Sequence, residues 1–343
     1  TVTPGLVDAH CHAGLWGTAC REEMDGNEYT EPVLPGLRGL DAINPEDATF
    51  DAALRQGITT VVTGPGSSNI VGGTFLAIKT AGEDMESRLI CPELAMKMAL
   101  GENPKMTFGN RGKAPRTRMM SAALMREELF KAKEYYENYK LHGQEPDFPF
   151  DFHLHSLMRV FEGMRVKIHA HQADDIQTAV RVANEFGLHY SIEHCTEGWM
   201  IPEFLKKNNA ECLLGPTVGG KSKIECQNRS YEAGRILEEA GVTFALITDA
   251  PFVPIEDQLL QVILYVKNGM SREMGIRSVT LNAAKITDID SRVGSIEPGK
   301  DADIVIWDVE PLDTMYQAGI VLIDGKIAYE RKAGESNVDY QKL

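Results

Sequence analysis

Basic charge is scarce in this chain. Its 35 Lys and Arg stand against 50 Asp and Glu, a net of −15. Nucleic acids and anionic membranes need a basic face, so neither is expected as a partner. No stretch approaches the roughly 18 consecutive apolar residues of a membrane span. The opening Thr1-Val2-Thr3-Pro4-Gly5 lacks the basic region and apolar run of a signal peptide. The six cysteines (Cys11, Cys20, Cys91, Cys195, Cys212, Cys226) form no CxxC pair and are too sparse for a disulfide framework. A reducing cytoplasm is therefore expected. Low-complexity tracts and short-period repeats are also missing, which excludes a solenoid. What is present is a 343-residue chain with 43% hydrophobic residues, enough for one large core and a small accessory domain. A small-molecule substrate and a homo-oligomer are the expected partners.

Short apolar β-type runs alternate with longer helical patterns. Eight runs stand out: 5–9, 59–63, 74–79, 94–99, 165–170, 189–193, 211–215 and 244–248. Several are unbroken Val/Ile/Leu-type segments, the mark of strands covered on both faces. Helices are expected over 47–56, 120–141, 173–186 and 229–240, with Gly57, Gly187 and Gly241 as stops. This α/β alternation with eight strands predicts a (β/α)₈ TIM barrel over residues 1–292, with a doubly wound sheet as the runner-up. From 293 to 343 the pattern changes to β-segments over 293–308 and 320–330, with turns at Pro298-Gly299 and Asp324-Gly325. That part reads as a small, incomplete β-sandwich appendage.

The polar residues at the run ends carry the chemistry. Asp8-Ala9-His10-Cys11-His12 closes the first run, and residues two apart on an extended chain point the same way. Two imidazoles so placed can grip one cation. His169 and His171 end the fifth run, His194 the sixth and Asp249 the eighth. Strand C-termini form the active-site face of such a barrel, so metal-type residues gathered there predict a metal site. The remaining histidines read as structural. His142 sits at a solvated helix end, His153 and His155 fall in a helix or loop, and His189 starts a strand on the stability face.

The run Pro4–His12, the later run Gly294–Val305 and the order HxH, His, His, Asp together resemble the amidohydrolase superfamily, in the group around imidazolonepropionase. The resemblance spans essentially the whole chain. It implies that His10, His12 and Asp249 bind the more buried metal position, with Asp249 also shuttling the proton. It implies that His169 and His194 bind a second metal, or that one of them binds the substrate carbonyl. His171 becomes a substrate-contacting candidate. A bridging ligand is implied near the fourth strand, where Lys97 resembles a lysine that some relatives carboxylate and Glu102 resembles the glutamate of deacetylase-type relatives. One or two divalent ions are implied, zinc first, with iron or manganese as alternatives. Relatives build several leading strands into the small β-domain, whereas nine residues precede His10 here. A shortened start and an unpaired strand edge are therefore expected.

Specificity is expected from the loops. Gly64–Asn69 lacks the lysine-bearing spacing of a phosphate loop, and Asn69 is a substrate-binding candidate. Arg111, Arg116 and Arg118 are candidates for a substrate carboxylate, and the long segment 16–38 is a candidate lid. The function expected is hydrolysis of amide or cyclic-amide C–N bonds in N-acyl amino acids, dipeptides or lactams, with Asp249, His194 and His171 as catalytic groups. A deaminase is the alternative. It is disfavoured because the stretch after the fifth-run histidines, Gln172-Ala173-Asp174-Asp175, lacks a glutamate. A non-catalytic binding relative is the third hypothesis. Elemental analysis separates it from the others: the purified protein is expected to hold divalent metal. Absence of metal, with no rescue by zinc or manganese, would favour the binding protein.

Overall fold

A computed structural model describes residues 1–16, 24–220 and 223–332. Cys20 and part of the expected lid lie outside the described residues. The first strand, β1 (Val2–Pro4), precedes every expected run. Then come β2 (Leu6–Cys11), β3 (Ile58–Thr63), β4 (Val71–Lys79), β5 (Leu89–Ala99), β6 (Arg165–Ala170), β7 (Tyr190–His194), β8 (Glu211–Leu214) and β9 (Phe244–Leu246). The chain ends in β10 (Ile304–Val309), β11 (Gln317–Ile323) and β12 (Lys326–Glu330).

Strands β2 to β9 form one eight-stranded, nearly closed sheet in sequence order. Every residue of β2, β3, β4 and β6 is buried, as sheets covered on both faces require. One strand departs from the eight regular β/α units expected. β4 runs antiparallel to both β3 and β5. The seven residues between β3 and β4 cannot span a parallel crossover, which takes about a dozen or more. The expected helices appear at Ala48–Arg55, Arg118–His142, Ala173–Phe186 and, starting four residues late, Ala233–Ala240. Gly187 and Gly241 end the last two in the left-handed conformation, at φ 66° and 68°. His153 and His155 lie on a short helix, Phe152–Met158.

The barrel has no ladder between β9 and β2. The two are stitched by the Asp249 N–H donating to His10 O at 3.0 Å and the His12 N–H donating to Ala250 O at 2.8 Å. At the opposite end of the strands, the buried Arg165 guanidinium binds Asp288 (2.8 Å), Glu211 (2.6 Å) and His189. His189 thus serves the stability face, as expected.

The second sheet is antiparallel, in the order β1-β10-β11-β12. The expected segment 293–308 is strand only from Ile304, and the turn at Asp324-Gly325 splits the other into β11 and β12. Lys79, fully buried at the end of β4, joins the two sheets. Its ammonium lies 2.6 Å from Asp303 and 2.9 Å from Asp301. Lys79→Met leaves the buried Asp303 carboxylate uncompensated and is expected to cost about 3–5 kcal/mol, read from the midpoint of urea unfolding. An unchanged midpoint would show that this bridge does not hold the sheets together.

Candidate metal centre and its cavity

The barrel brings together the residues expected at the strand ends. One ligand atom each from His10, His12 and Asp249 lies within 4.8 Å of the others, and the same holds for His169, His171 and His194. The two groups adjoin, with the His10 and His194 ring centroids 5.2 Å apart. All six residues are buried. His194, Cys195 and Asp249 hold φ at 70°, 46° and 56°, rare for residues other than glycine. Such geometry costs about 1–3 kcal/mol per residue and clusters where side chains must be aimed.

Four of the five strand-end imidazoles have Nδ1 occupied. His10 Nδ1 meets the Glu193 carboxylate in a short bond. His12 Nδ1 meets Gly64 O at 2.7 Å, His171 Nδ1 the Thr196 hydroxyl at 2.7 Å, and His194 Nδ1 Gly215 O at 2.9 Å. Partners of this kind fix the tautomer and leave the Nε2 lone pair for a cation. Burial, reinforced by Lys97 and neighbouring histidines, holds His10, His169 and His194 well below the usual imidazole range. Burial does the same for His171. Neutral imidazole is the form that binds metal. His169 has no hydrogen-bond partner on either nitrogen, although both are buried. Buried polar atoms are rarely left so. Orphaned nitrogens among neutral imidazoles, with carboxylates nearby, fit a divalent cation.

The two bridging candidates separate. Lys97 is fully buried on β5, its ammonium nitrogen 3.5 Å from His10 Nε2. Burial lowers its pKa to about 8. Glu102 opens the helix Glu102–Gly109, and its carboxylate belongs to neither donor group. Its backbone N–H instead donates to Glu225 at 2.9 Å.

The substrate-binding candidates are placed by their contacts, and none of them lines the cavity beside the donors. Asn69 spends its amide on Glu28 O (2.8 Å) and Glu31 O (2.7 Å), clipping the preceding loop. Arg118 binds Asp175 at 2.9 and 3.1 Å and also Gln172. Arg111 is exposed, stacked over Tyr29 with its centre 4.7 Å from the ring. Arg116 is exposed as well. Two cations outside the expected set, Lys223 and Arg229, do reach the site. They line a cavity of about 280 Å³ whose walls include His12, His169, His171 and Asp249. Trp16 stacks on His12 at 4.8 Å and meets Phe252 at 5.1 Å, giving the cavity an aromatic side.

Sequence reasoning also missed Glu193 and Glu225, both at most 1% exposed. Glu193 adjoins His194 in sequence, and an acid inside a buried strand was the available signal. Glu193 binds Lys167 at 2.8 Å as well as His10. Glu225 gave no such signal, because it lies in a short 3-10 turn, Ile224–Cys226, after β8.

Residues 1–334 match the family model described as Amidohydrolase family, so this chain belongs to that family of hydrolases. It is 26% identical to the amidohydrolase tasK of Hapsidospora irregularis over 96% of this chain, but spans only 36% of that protein's length. It is also 26% identical to the imidazolonepropionase of Brucella suis biovar 1 (strain 1330), covering 93% of this chain and 81% of that one. The crystal structure of an amidohydrolase from Thermotoga maritima MSB8 matches with a TM-score of 0.93 and 37% identity, covering 96% of this chain and 87% of the other. A Xaa-Pro dipeptidase with methionine bound in its active site shares the fold at 20% identity, with a TM-score of 0.56 over 96% of this chain and 87% of that one. Among the described residues, no helix is long and apolar enough to cross a membrane.

Glu193→Gln removes the charge that orients His10 while keeping its shape. It is expected to weaken divalent-metal affinity about 10–100-fold, measured by competition with a chromogenic chelator. Equal affinities would show that Glu193 serves only the Lys167 pair.

Proposed function

We propose that this chain is a zinc-dependent hydrolase of amide-type C–N bonds in small molecules that carry a carboxylate, such as N-acyl amino acids, dipeptides or lactams. The observation that carries the reading is one cavity lined both by the donors His12, His169, His171 and Asp249 and by the cations Lys223 and Arg229. His10, His12 and Asp249 would hold one ion, and His169 and His194 a second, with Lys97 between them. A bound divalent ion supplies Lewis acidity, bringing the pKa of a water towards about 7 and polarising the scissile carbonyl.

The chain's own groups do the rest. Asp249 is largely buried, its Oδ1 3.1 Å from His12 Nε2 and 3.6 Å from His10 Nε2. It takes the proton of the attacking water and returns it to the leaving nitrogen. His171 lines the cavity, where it contacts the substrate. Arg229 and Lys223 bind the carboxylate, and Trp16 and Phe252 exclude water from the apolar part of the substrate. An ammonium on Lys97 would oppose bound cations. The pKa of about 8 leaves a usable fraction of neutral amine, which can add to carbon dioxide with loss of a proton to give an anionic carbamate. Asp175, in the stretch where a deaminase glutamate was sought, is tied to Arg118, which supports hydrolysis over deamination.

The test is a screen of N-acyl amino acids, dipeptides, lactams and aminopurines with metal-reconstituted protein. Turnover of a carboxylate-bearing amide is expected, with kcat reduced about 10²–10⁴-fold in Asp249→Asn. Arg229→Ala is expected to raise KM for that substrate far more than for its carboxamide analogue. Turnover of aminopurines alone, or an Asp249→Asn protein as active as wild type, would sink the reading.

A further inference from the structure

The unpartnered oxygen of Glu225 is the feature the proposed chemistry leaves unused. The residue is 1% exposed, and its Oε1 has no hydrogen-bond partner. That oxygen stands 3.7 Å from His169 Nε2 and 3.7 Å from His171 Nε2. Both separations exceed the 2.7–3.2 Å of a hydrogen bond. Both are close to the ligand–ligand edge of a tetrahedral site with bonds of about 2.1 Å, which is roughly 3.4 Å. His169 has no partner on either nitrogen. His171 is held through Nδ1 by Thr196, so its Nε2 faces Glu225. Three donor atoms, from the end of β6, the residue just after it and the short turn after β8, thus stand together.

The carboxylate is also braced from behind. Its Oε2 accepts the Glu102 N–H at 2.9 Å. The residue before, Gly101, sits at φ 80°, and a Cβ there would come within 2.9 Å of the same oxygen. Glycine leaves the room that the carboxylate occupies. Lys223 lies 3.9 Å from Oε1, while its ammonium is held by Asn103 at 2.6 Å. It balances the buried charge without making a hydrogen bond to it.

We infer that Glu225 is a direct ligand of the second cation, joining, together with His171, the His169 and His194 already assigned to it. This rests on the metal-dependent reading above and extends it with a carboxylate from the loop after β8. It also gives His171 a coordinating role beside its place in the cavity wall. Glu102, considered as a ligand from sequence, acts through its backbone to hold the residue that is one.

The experiment counts ions. Metal-free full-length protein is dialysed to equilibrium against Mn²⁺ alone or Zn²⁺ alone, and bound metal is measured by elemental analysis. Wild type is expected to bind two ions. In Glu225→Gln, which keeps an oxygen for the Glu102 N–H, the second ion is expected to bind at least tenfold more weakly while the first is unaffected. His171→Asn should repeat that pattern, and His12→Asn should weaken the first ion instead. Should Glu225→Gln not fold, Glu225→Asp withdraws the oxygen by one methylene and should weaken the same ion. Undiminished binding of two ions in the Glu225 variant overturns the inference alone, as does a wild type that binds one ion regardless of Glu225. A wild type that binds none overturns the proposed function with it.

Discussion

The seam between the last and first barrel strands is where closure of the sheet and assembly of the site become one event. β9 and β2 share no ladder, and the two backbone bonds that join their ends run from Asp249 to His10 and from His12 to Ala250. Asp8 tightens the same seam. Its carboxylate accepts the Thr248 hydroxyl, and burial raises its pKa to about 7. The peptide groups that close the barrel therefore belong to the residues whose side chains form the first donor group. Without closure, His10 and His12 would face Asp249 only across an open edge, with His12 237 residues away from it in sequence.

From that seam inward, the site is organised by burial. Desolvation keeps His10, His169, His171 and His194 neutral, and oxygens occupy Nδ1 of every strand-end imidazole except His169, so that Nε2 is left over. Two buried lysines, Lys97 and Lys167, share the interior with them, and Glu193 meets Lys167 and His10 together. Positive charge, neutral donors and carboxylates are thus interleaved in a space with little water. In such a medium each unpaired group is expensive, so an orphaned nitrogen on His169 is informative.

Much of this was legible beforehand. The strand expected at 165–170 is β6 to the residue, and the others shifted by a few residues at their ends. Unbroken apolar runs ending in His or Asp have few alternatives, because a buried strand exposes polar side chains only where it leaves the sheet. The direction of β4 was not read, although the short connection from β3 already ruled out a crossover. β1 was not read, since three residues carry no periodicity and gain their partner only from β10, some 300 positions away. The arginines show the limit of reading position from sequence. Arg111, Arg116 and Arg118 follow a strand end, yet none of them lines the cavity, whereas Arg229 does so from after β8.

The sequence by itself determined the class of chemistry: which side chains end the strands, and hence a barrel with imidazoles and one aspartate on a single face. Periodicity and residue type reach that far, with a doubly wound sheet left as the runner-up, because they act over a few residues. Tertiary structure alone decided which groups meet across the barrel: Glu193 behind His10, Lys97 rather than Glu102 beside the donors, and Glu225 facing His169 and His171. Those meetings join segments tens to hundreds of residues apart, and their energies come from charges and hydrogen bonds that exist only once the sheet has closed and water is gone.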